Sequence, residues 1–151
     1  MKKMNIMLVD DEERFLLTTS KLIKKRGYEV VTSNSGSEAL EKLGATNIHV
    51  VVLDVKMPGM DGIATLREIK RRFPLIEVVM LTGHGTVESA VEGLKAGATD
   101  YLSKPVDIDE LIEKAEDAFG KRQQLEEKIR VAQARAVTKS PREIIRESEK
   151  K

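Results

Sequence analysis

The 151-residue chain predicts a doubly wound α/β fold, and three observations carry that prediction. Short apolar, β-branched runs alternate with segments of helical period five times before about residue 120. The runs are continuously apolar rather than alternating, the pattern of strands buried on both faces of a parallel sheet. The helical segments are closed by Gly27, Gly44, Pro74 and Gly97, residues that end helices and turn the chain.

Each element follows from its own residues. Ile6-Met7-Leu8-Val9 is a buried strand that ends in Asp10-Asp11-Glu12-Glu13. Phe15, Leu16, Leu22 and Ile23 then mark a helix up to Gly27. Glu29 to Thr32 is a second strand, and Ser35 to Leu43 a short helix. Ile48 to Leu53, the most apolar strand, runs into Asp54. After the turn Met57 to Gly62, a helix spans Ile63 to about Arg72. Val78 to Leu81 is a fourth strand ending at Thr82, and Gly83-His84-Gly85 leads into a helix over Val87 to Lys95. Asp100 to Ser103 is a weak fifth strand before Lys104-Pro105. Asp107-Ile108-Asp109 caps a helix that begins near Glu110.

Right-handed crossovers bring the C-terminal ends of parallel strands to one rim of the sheet. Four of the five ends carry residues capable of chemistry: Asp10 and Asp11, Asp54, Thr82 and Lys104. The second strand, ending near Ser33, does not. Three carboxylates on one rim repel one another, so a divalent cation is the natural counterion. All-oxygen donors without cysteine or nearby histidine favour Mg²⁺. Lys104 adds positive charge and Thr82 a hydroxyl donor, which makes the rim an electrostatic clamp for a phosphoryl group. With no Ser, Cys or His among these five rim residues, a carboxylate is the acceptor, and Asp54 on the middle strand is the best placed. Taken singly, each residue reads equally as a turn or cap residue or a solvated lysine; their joint placement carries the inference.

The blocks Ile6-Met7-Leu8-Val9-Asp10-Asp11-Glu12, Leu53-Asp54-Val55-Lys56-Met57-Pro58-Gly59-Met60-Asp61-Gly62, Leu81-Thr82-Gly83, Ala96-Gly97-Ala98 and Asp100-Tyr101-Leu102-Ser103-Lys104-Pro105 occur in order. In these blocks, residues 4–120 resemble the receiver domain of two-component response regulators. The resemblance implies a flavodoxin-like, five-stranded parallel sheet of order 2-1-3-4-5 with helices on both faces. It implies that Asp54 accepts a phosphoryl group from a histidine kinase or phosphotransfer protein. Asp10, Asp11, Asp54 and the main-chain carbonyl of Lys56 would hold Mg²⁺, with Asp11 and Asp54 as direct carboxylate ligands. Thr82 would move toward the phosphoryl group, Tyr101 would turn inward behind it, and Lys104, set by a cis bond to Pro105, would pair with a phosphoryl oxygen. Lys56 and His84 flank the path of attacking water in such domains, whereas His49 reads as a core or sheet-edge residue. The expected role is a phosphorylation-dependent switch of protein contacts rather than a turnover enzyme; a phosphorelay intermediate is the alternative. A phosphoaspartate phosphatase of the haloacid-dehalogenase-like kind fits poorly, because Lys56 and Glu12 stand where a second aspartate is needed.

Composition bounds the rest. There is no cysteine, so disulfides, thiolate metal sites and thiol nucleophiles are excluded, and two histidines cannot build a histidine-rich centre. No apolar run approaches the roughly 20 residues of a membrane span, and Met1-Lys2-Lys3 lacks the apolar stretch of a signal peptide. The expected location is the cytoplasm.

The net charge of +1 conceals a reversal, from −4 over residues 1–120 to +5 over residues 121–151. Residues 121–151 are therefore expected to be a helical or partly disordered extension, too short for an output domain. Leu111, Ala115, Ala118, Arg122, Leu125, Ile129, Ala132 and Ala136 step by alternating fours and threes, a heptad spoiled at Arg122. Three readings stay open for it. The first is a helix that pairs with a second copy to form a homodimer or with an unknown downstream protein, the second a solvated helix without a partner, and the third a basic nucleic-acid arm. Direct nucleic-acid binding is the least favoured, since acidic residues are interleaved and no aromatic is available to stack. Pro141 ends any helix, and beyond it the chain is a short amphipathic turn or disordered.

Overall fold

A computed structural model describes residues 4–56, 61–83 and 87–138. The elements follow in strict alternation: β1 (Asn5–Val9), α1 (Glu13–Lys25), β2 (Glu29–Ser33), α2 (Gly36–Leu43), β3 (Val50–Asp54), α3 (Gly62–Arg72), β4 (Glu77–Thr82), α4 (Val87–Lys95), β5 (Asp100–Ser103) and α5 (Ile108–Thr138). All strand pairs are parallel and the order is β2-β1-β3-β4-β5, as expected.

Two apolar layers hold the sheet. Met7, Val9, Val51, Leu53, Val78 and Met80 point to the side covered by α2 and α3. Ile6, Leu8, Val50, Val52, Val79 and Leu81 point to the side covered by α1 and α5. The strict alternation within each strand, with both sets buried, is why these runs carry no polar residue before their ends. Every residue of β3 is buried.

Local chemistry sets the helix ends. Ser35 Oγ accepts from Glu38 N at 3.2 Å, Asp61 Oδ1 from Ile63 N at 3.0 Å, and Asp107 Oδ1 from Asp109 N at 2.9 Å. Gly27 and Gly97, at φ +90° and +111°, take the left-handed conformation that stops α1 and α4. On the outer side of edge strand β2, Lys42 Nζ donates to the Thr32 carbonyl at 2.5 Å.

The last helix continues without interruption from Ile108 to Thr138, across the expected boundary at residue 120. Leu111, Ile112, Ala115 and Ala118 are buried against the sheet, whereas Leu125 and Ile129 are exposed. The residue that spoils the heptad has a structural role: Arg122 Nη1 donates to the Ile48 carbonyl and Nε to Glu126 Oε1, both at 2.7 Å. His49, expected in the core or at a sheet edge, immediately precedes the middle strand, its N–H donating to the Asn5 carbonyl and its own carbonyl accepting from Glu77 N. Its Nδ1 accepts from Asn5 N at 2.9 Å and its ring lies 5.0 Å from that of Phe119, at the foot of the sheet opposite the rim. The turn Met57 to Met60, His84 and the segment beyond Thr138, with Pro141, lie outside the described residues. Among the described residues, no helix is long and apolar enough to cross a membrane.

Candidate functional site

Parallel pairing brings the ends of β1, β3 and β4 level. Val9 stands opposite Leu53, and Asp54 opposite Leu81, one residue before Thr82. Asp10 follows β1 directly and is fully buried; Asp54 is the last residue of β3 and is 4% exposed. Lys104, after β5, is held by its main-chain N–H, which donates to the Thr82 carbonyl at 2.9 Å, and its peptide bond to Pro105 is cis. The expected convergence of Asp10, Asp54, Thr82 and Lys104 is therefore met on one rim.

The ammonium of Lys104 joins the acids. Its Nζ lies 2.6 Å from Asp10 Oδ2, 3.6 Å from Asp54 Oδ2 and 3.5 Å from Glu12 Oε1. The Phe15 ring lies 4.6 Å from the same nitrogen, on the side of α1. Asp10 Oδ1 accepts from Glu12 N at 2.9 Å, and Asp54 Oδ1 from Lys56 N at 3.1 Å. Burial pushes the Asp10 carboxyl above its ordinary pKa, and the nearby Asp54 charge adds to this; the close Lys104 ammonium and the hydrogen bond from Glu12 N only partly offset it. For Lys104, burial opposes the charged form, yet the close contact with Asp10 and the charges of Asp10, Asp54 and Glu12 outweigh it and hold its pKa above the usual lysine value. The pair is unequal because Asp10 is sealed from water while the lysine side chain remains 17% exposed.

Asp11 and Glu12 are exposed, and with Asp10 they present carboxylate oxygens within 4.8 Å of one another. Asp10 Oδ2 is buried without an aligned hydrogen-bond donor among the described residues; Lys104 compensates its charge from off the bond axis. A buried, under-coordinated carboxylate oxygen beside two exposed carboxylates fits a hard divalent cation such as Mg²⁺. The compact acidic trio places Glu12 beside the expected Asp10 and Asp11. Glu12 was visible in the sequence only as the third acid of a run. Phe15 carried no signal beyond its helical period.

The two expected switch residues have partners other than the acids. Thr82 is buried, and its Oγ1 donates to the Leu102 carbonyl at 3.3 Å. Tyr101 is 41% exposed, with its ring 5.7 Å from Lys114 Nζ, which pairs with Asp100 Oδ2 at 2.9 Å. Lys56 is exposed beside Asp54.

Fold and rim together define a flavodoxin-like α/β domain with a buried acidic cluster at the carboxyl ends of its strands. The family profile described as the response regulator receiver domain matches residues 6–116, and the chain belongs to that family. It is similar to the transcriptional regulatory protein ZraR of Escherichia coli K12, with 46% identity over 107 residues, covering 71% of this chain and 24% of ZraR. It is also similar to the DNA-binding transcriptional regulator NtrC of the same organism, 37% identical over 122 residues, covering 79% of this chain and 26% of NtrC. The chain thus spans about a quarter of the length of the curated relatives it matches. Among solved structures, a CheY-like receiver domain protein from Methanospirillum hungatei superposes with a TM-score of 0.77 at 29% identity, over 82% of this chain and 98% of that one. NtrX from Brucella abortus in complex with ADP superposes with a TM-score of 0.79 at 34% identity, over 83% of this chain and 29% of NtrX. The DNA binding in the name of NtrC belongs to that protein. It bears on the placing of direct nucleic-acid binding as the least favoured reading, because the similarity, over 26% of NtrC, reaches a regulator of that kind.

Proposed function

We propose that this domain is the phospho-acceptor of a two-component signalling pathway in the cytoplasm, with Asp54 receiving the phosphoryl group from a histidine kinase or phosphotransfer protein. The observation that carries the reading is the buried Asp54 carboxylate at the centre of the rim, 3.6 Å from Lys104 and next to the acidic trio. Asp54 Oδ forms the new P–O bond while the donor's P–N bond breaks, and the donor imidazole leaves with the electron pair. Lys104 then balances the added charge on the phosphoryl oxygens. Asp10, Asp11 and Asp54, with the Lys56 carbonyl, are the groups proposed to hold Mg²⁺, with Glu12 beside them in the acidic trio; when bound, the ion supplies positive charge against the acids and the phosphoryl oxygens. Thr82 would leave the Leu102 carbonyl for a phosphoryl oxygen, and Tyr101 would turn inward from its exposed position, changing the surface of α4 and β5. The domain assists its own phosphorylation and dephosphorylation without turning over a separate substrate.

Incubation with acetyl phosphate and Mg²⁺ tests this reading. One acid-stable, base-labile phosphoryl group per chain is expected, lost in Asp54→Asn and with chelator. Equal labelling of Asp54→Asn would sink the assignment, and sustained turnover of a small phosphoester would replace it with an enzyme.

The receiver is proposed to occupy residues 1–120, with the helix beyond it pairing with a second copy. Leu125 and Ile129 lie exposed in line with the buried Leu111, Ala115 and Ala118. Flanking positions are basic on one side of that line (Lys121, Lys128, Arg135), with Glu126 and Gln133 on the other. A parallel pair sets Lys121 against Glu126 of the second copy, whereas an antiparallel pair sets the basic column against itself. Sedimentation of the full chain should show self-association that Leu125→Glu with Ile129→Glu abolishes; identical sedimentation of both would remove the pairing.

A further inference from the structure

The point at which α5 leaves the sheet is built differently from the rest of the helix. Phe119 is the last residue in the apolar layer, resting beside His49. Gly120 follows in the middle of the 31-residue helix, where glycine weakens helical structure. A Cβ at Gly120 would meet nothing within 4 Å, and its φ is not positive, so neither packing nor a turn calls for glycine there. Two residues on, Arg122 has a side chain only 12% exposed that reaches across the foot of the sheet to the Ile48 main chain, 74 positions away, and also holds Glu126 one turn further along. From there to Ala136 the side chains are exposed or half-buried.

We propose that Gly120 and Arg122 form a latched hinge. Gly120 is the weak point at which the helix can bend or fray, and Arg122 holds the segment beyond it in line by bonding to the Ile48 carbonyl. The physical need is clear. Residues 123–138 have no core of their own, and an isolated helix of that length is marginal because its first turn is costly to nucleate. The Arg122 contact ties the first turn after the glycine to the folded domain, so the remaining turns propagate from a fixed start. Loss of that contact frees the segment from residue 123 onward and leaves the sheet and its rim unchanged. The inference is independent of the phosphoryl chemistry at Asp54.

Hydrogen–deuterium exchange on the full chain, read by mass spectrometry, tests it. Arg122→Ala is expected to speed exchange across residues 123–138 about tenfold, the scale of one charged hydrogen bond. Residues 108–118 and the strands should keep their rates. Gly120→Ala should slow exchange in residues 123–138 about fourfold, the difference between alanine and glycine in a helix interior. Added to Arg122→Ala, it should restore part of the protection. Unchanged exchange of residues 123–138 in Arg122→Ala, or acceleration spread equally over the strands, overturns the latch; an unaltered rate in Gly120→Ala overturns the hinge.

Discussion

Gly62→Ala should damage both the fold and the site, because it pushes apart two stretches of backbone. Gly62 opens α3, and its N–H donates to the Val55 carbonyl at 3.2 Å. A Cβ at this position would stand 2.3 Å from Val55 Cα and 2.5 Å from Val55 O, where ordinary contact begins at 3.4 Å. The two segments must therefore separate by about 1 Å, and no flexible side chain can absorb the shift. Val55 is fixed on its other side, where its N–H donates to the Leu81 carbonyl at 3.1 Å, and it adjoins Asp54. Overpacking of this kind costs about 1–3 kcal/mol, and loss of one of the two hydrogen bonds about 1 kcal/mol more. A total of about 2–4 kcal/mol corresponds to a fall in Tm of about 5–15 °C for a chain of this size. Urea and thermal unfolding would measure the loss, and the rate of Asp54 labelling by acetyl phosphate would report displacement of the rim. Gly120→Ala, where the added methyl meets open space, is the control and should gain about 0.5–1 kcal/mol. If Gly62→Ala unfolds within about 0.5 kcal/mol of the parent and labels at the same rate, the close approach of α3 to Val55 does not hold Asp54 in place.

Other expectations follow from burial and charge. Leu111→Ala, at a fully buried position of α5, should cost about 2–5 kcal/mol, whereas Leu125→Ala, further along the helix and 40% exposed, should cost the monomer under about 1 kcal/mol; equal losses in urea unfolding at low concentration would contradict the packing boundary drawn near residue 120. Asp10 binds its proton more tightly folded than unfolded, so its contribution to stability is greatest below the unfolded pKa and falls as pH rises through the folded one. Asp10→Asn should therefore stabilise the cation-free protein at pH 7, with the advantage shrinking toward pH 4; an advantage that grows on acidification would reverse the sign. Lys104 follows the same direction in an alkaline window, its contribution being complete below the ordinary lysine pKa and lost as pH climbs through its raised value. Unfolding of Lys104→Met compared with the parent should show a deficit at neutral pH that narrows in strong alkali.

The strands and helices were legible because both periodicities are local, and the observed bounds lie within about two residues of those expected. The rim was legible for a related reason: parallel topology turns the residue after each apolar run into a neighbour of the others, so Asp10, Asp54, Thr82 and Lys104 could be assembled without coordinates. Contacts between distant, chemically ordinary residues were not. Nothing local to Arg122 announces the Ile48 carbonyl, and nothing in the run Asp10-Asp11-Glu12 tells which acid turns toward Lys104. The outward setting of Tyr101 against Lys114 likewise depends on where α5 lies over β5.

The contact between Lys42 and Thr32 bears on how these chains behave when crowded together. Carbonyls alternate sides along a strand, and that of Ser33 faces β1, where it accepts from Asp10 N; that of Thr32 therefore faces outward from the sheet's open edge. An incoming extended segment that reached this end of the strand would meet the Lys42 ammonium already on that carbonyl. It would have to displace a charged donor to extend a ladder past Thr32, which makes this end of the β2 edge a poor template for strand recruitment.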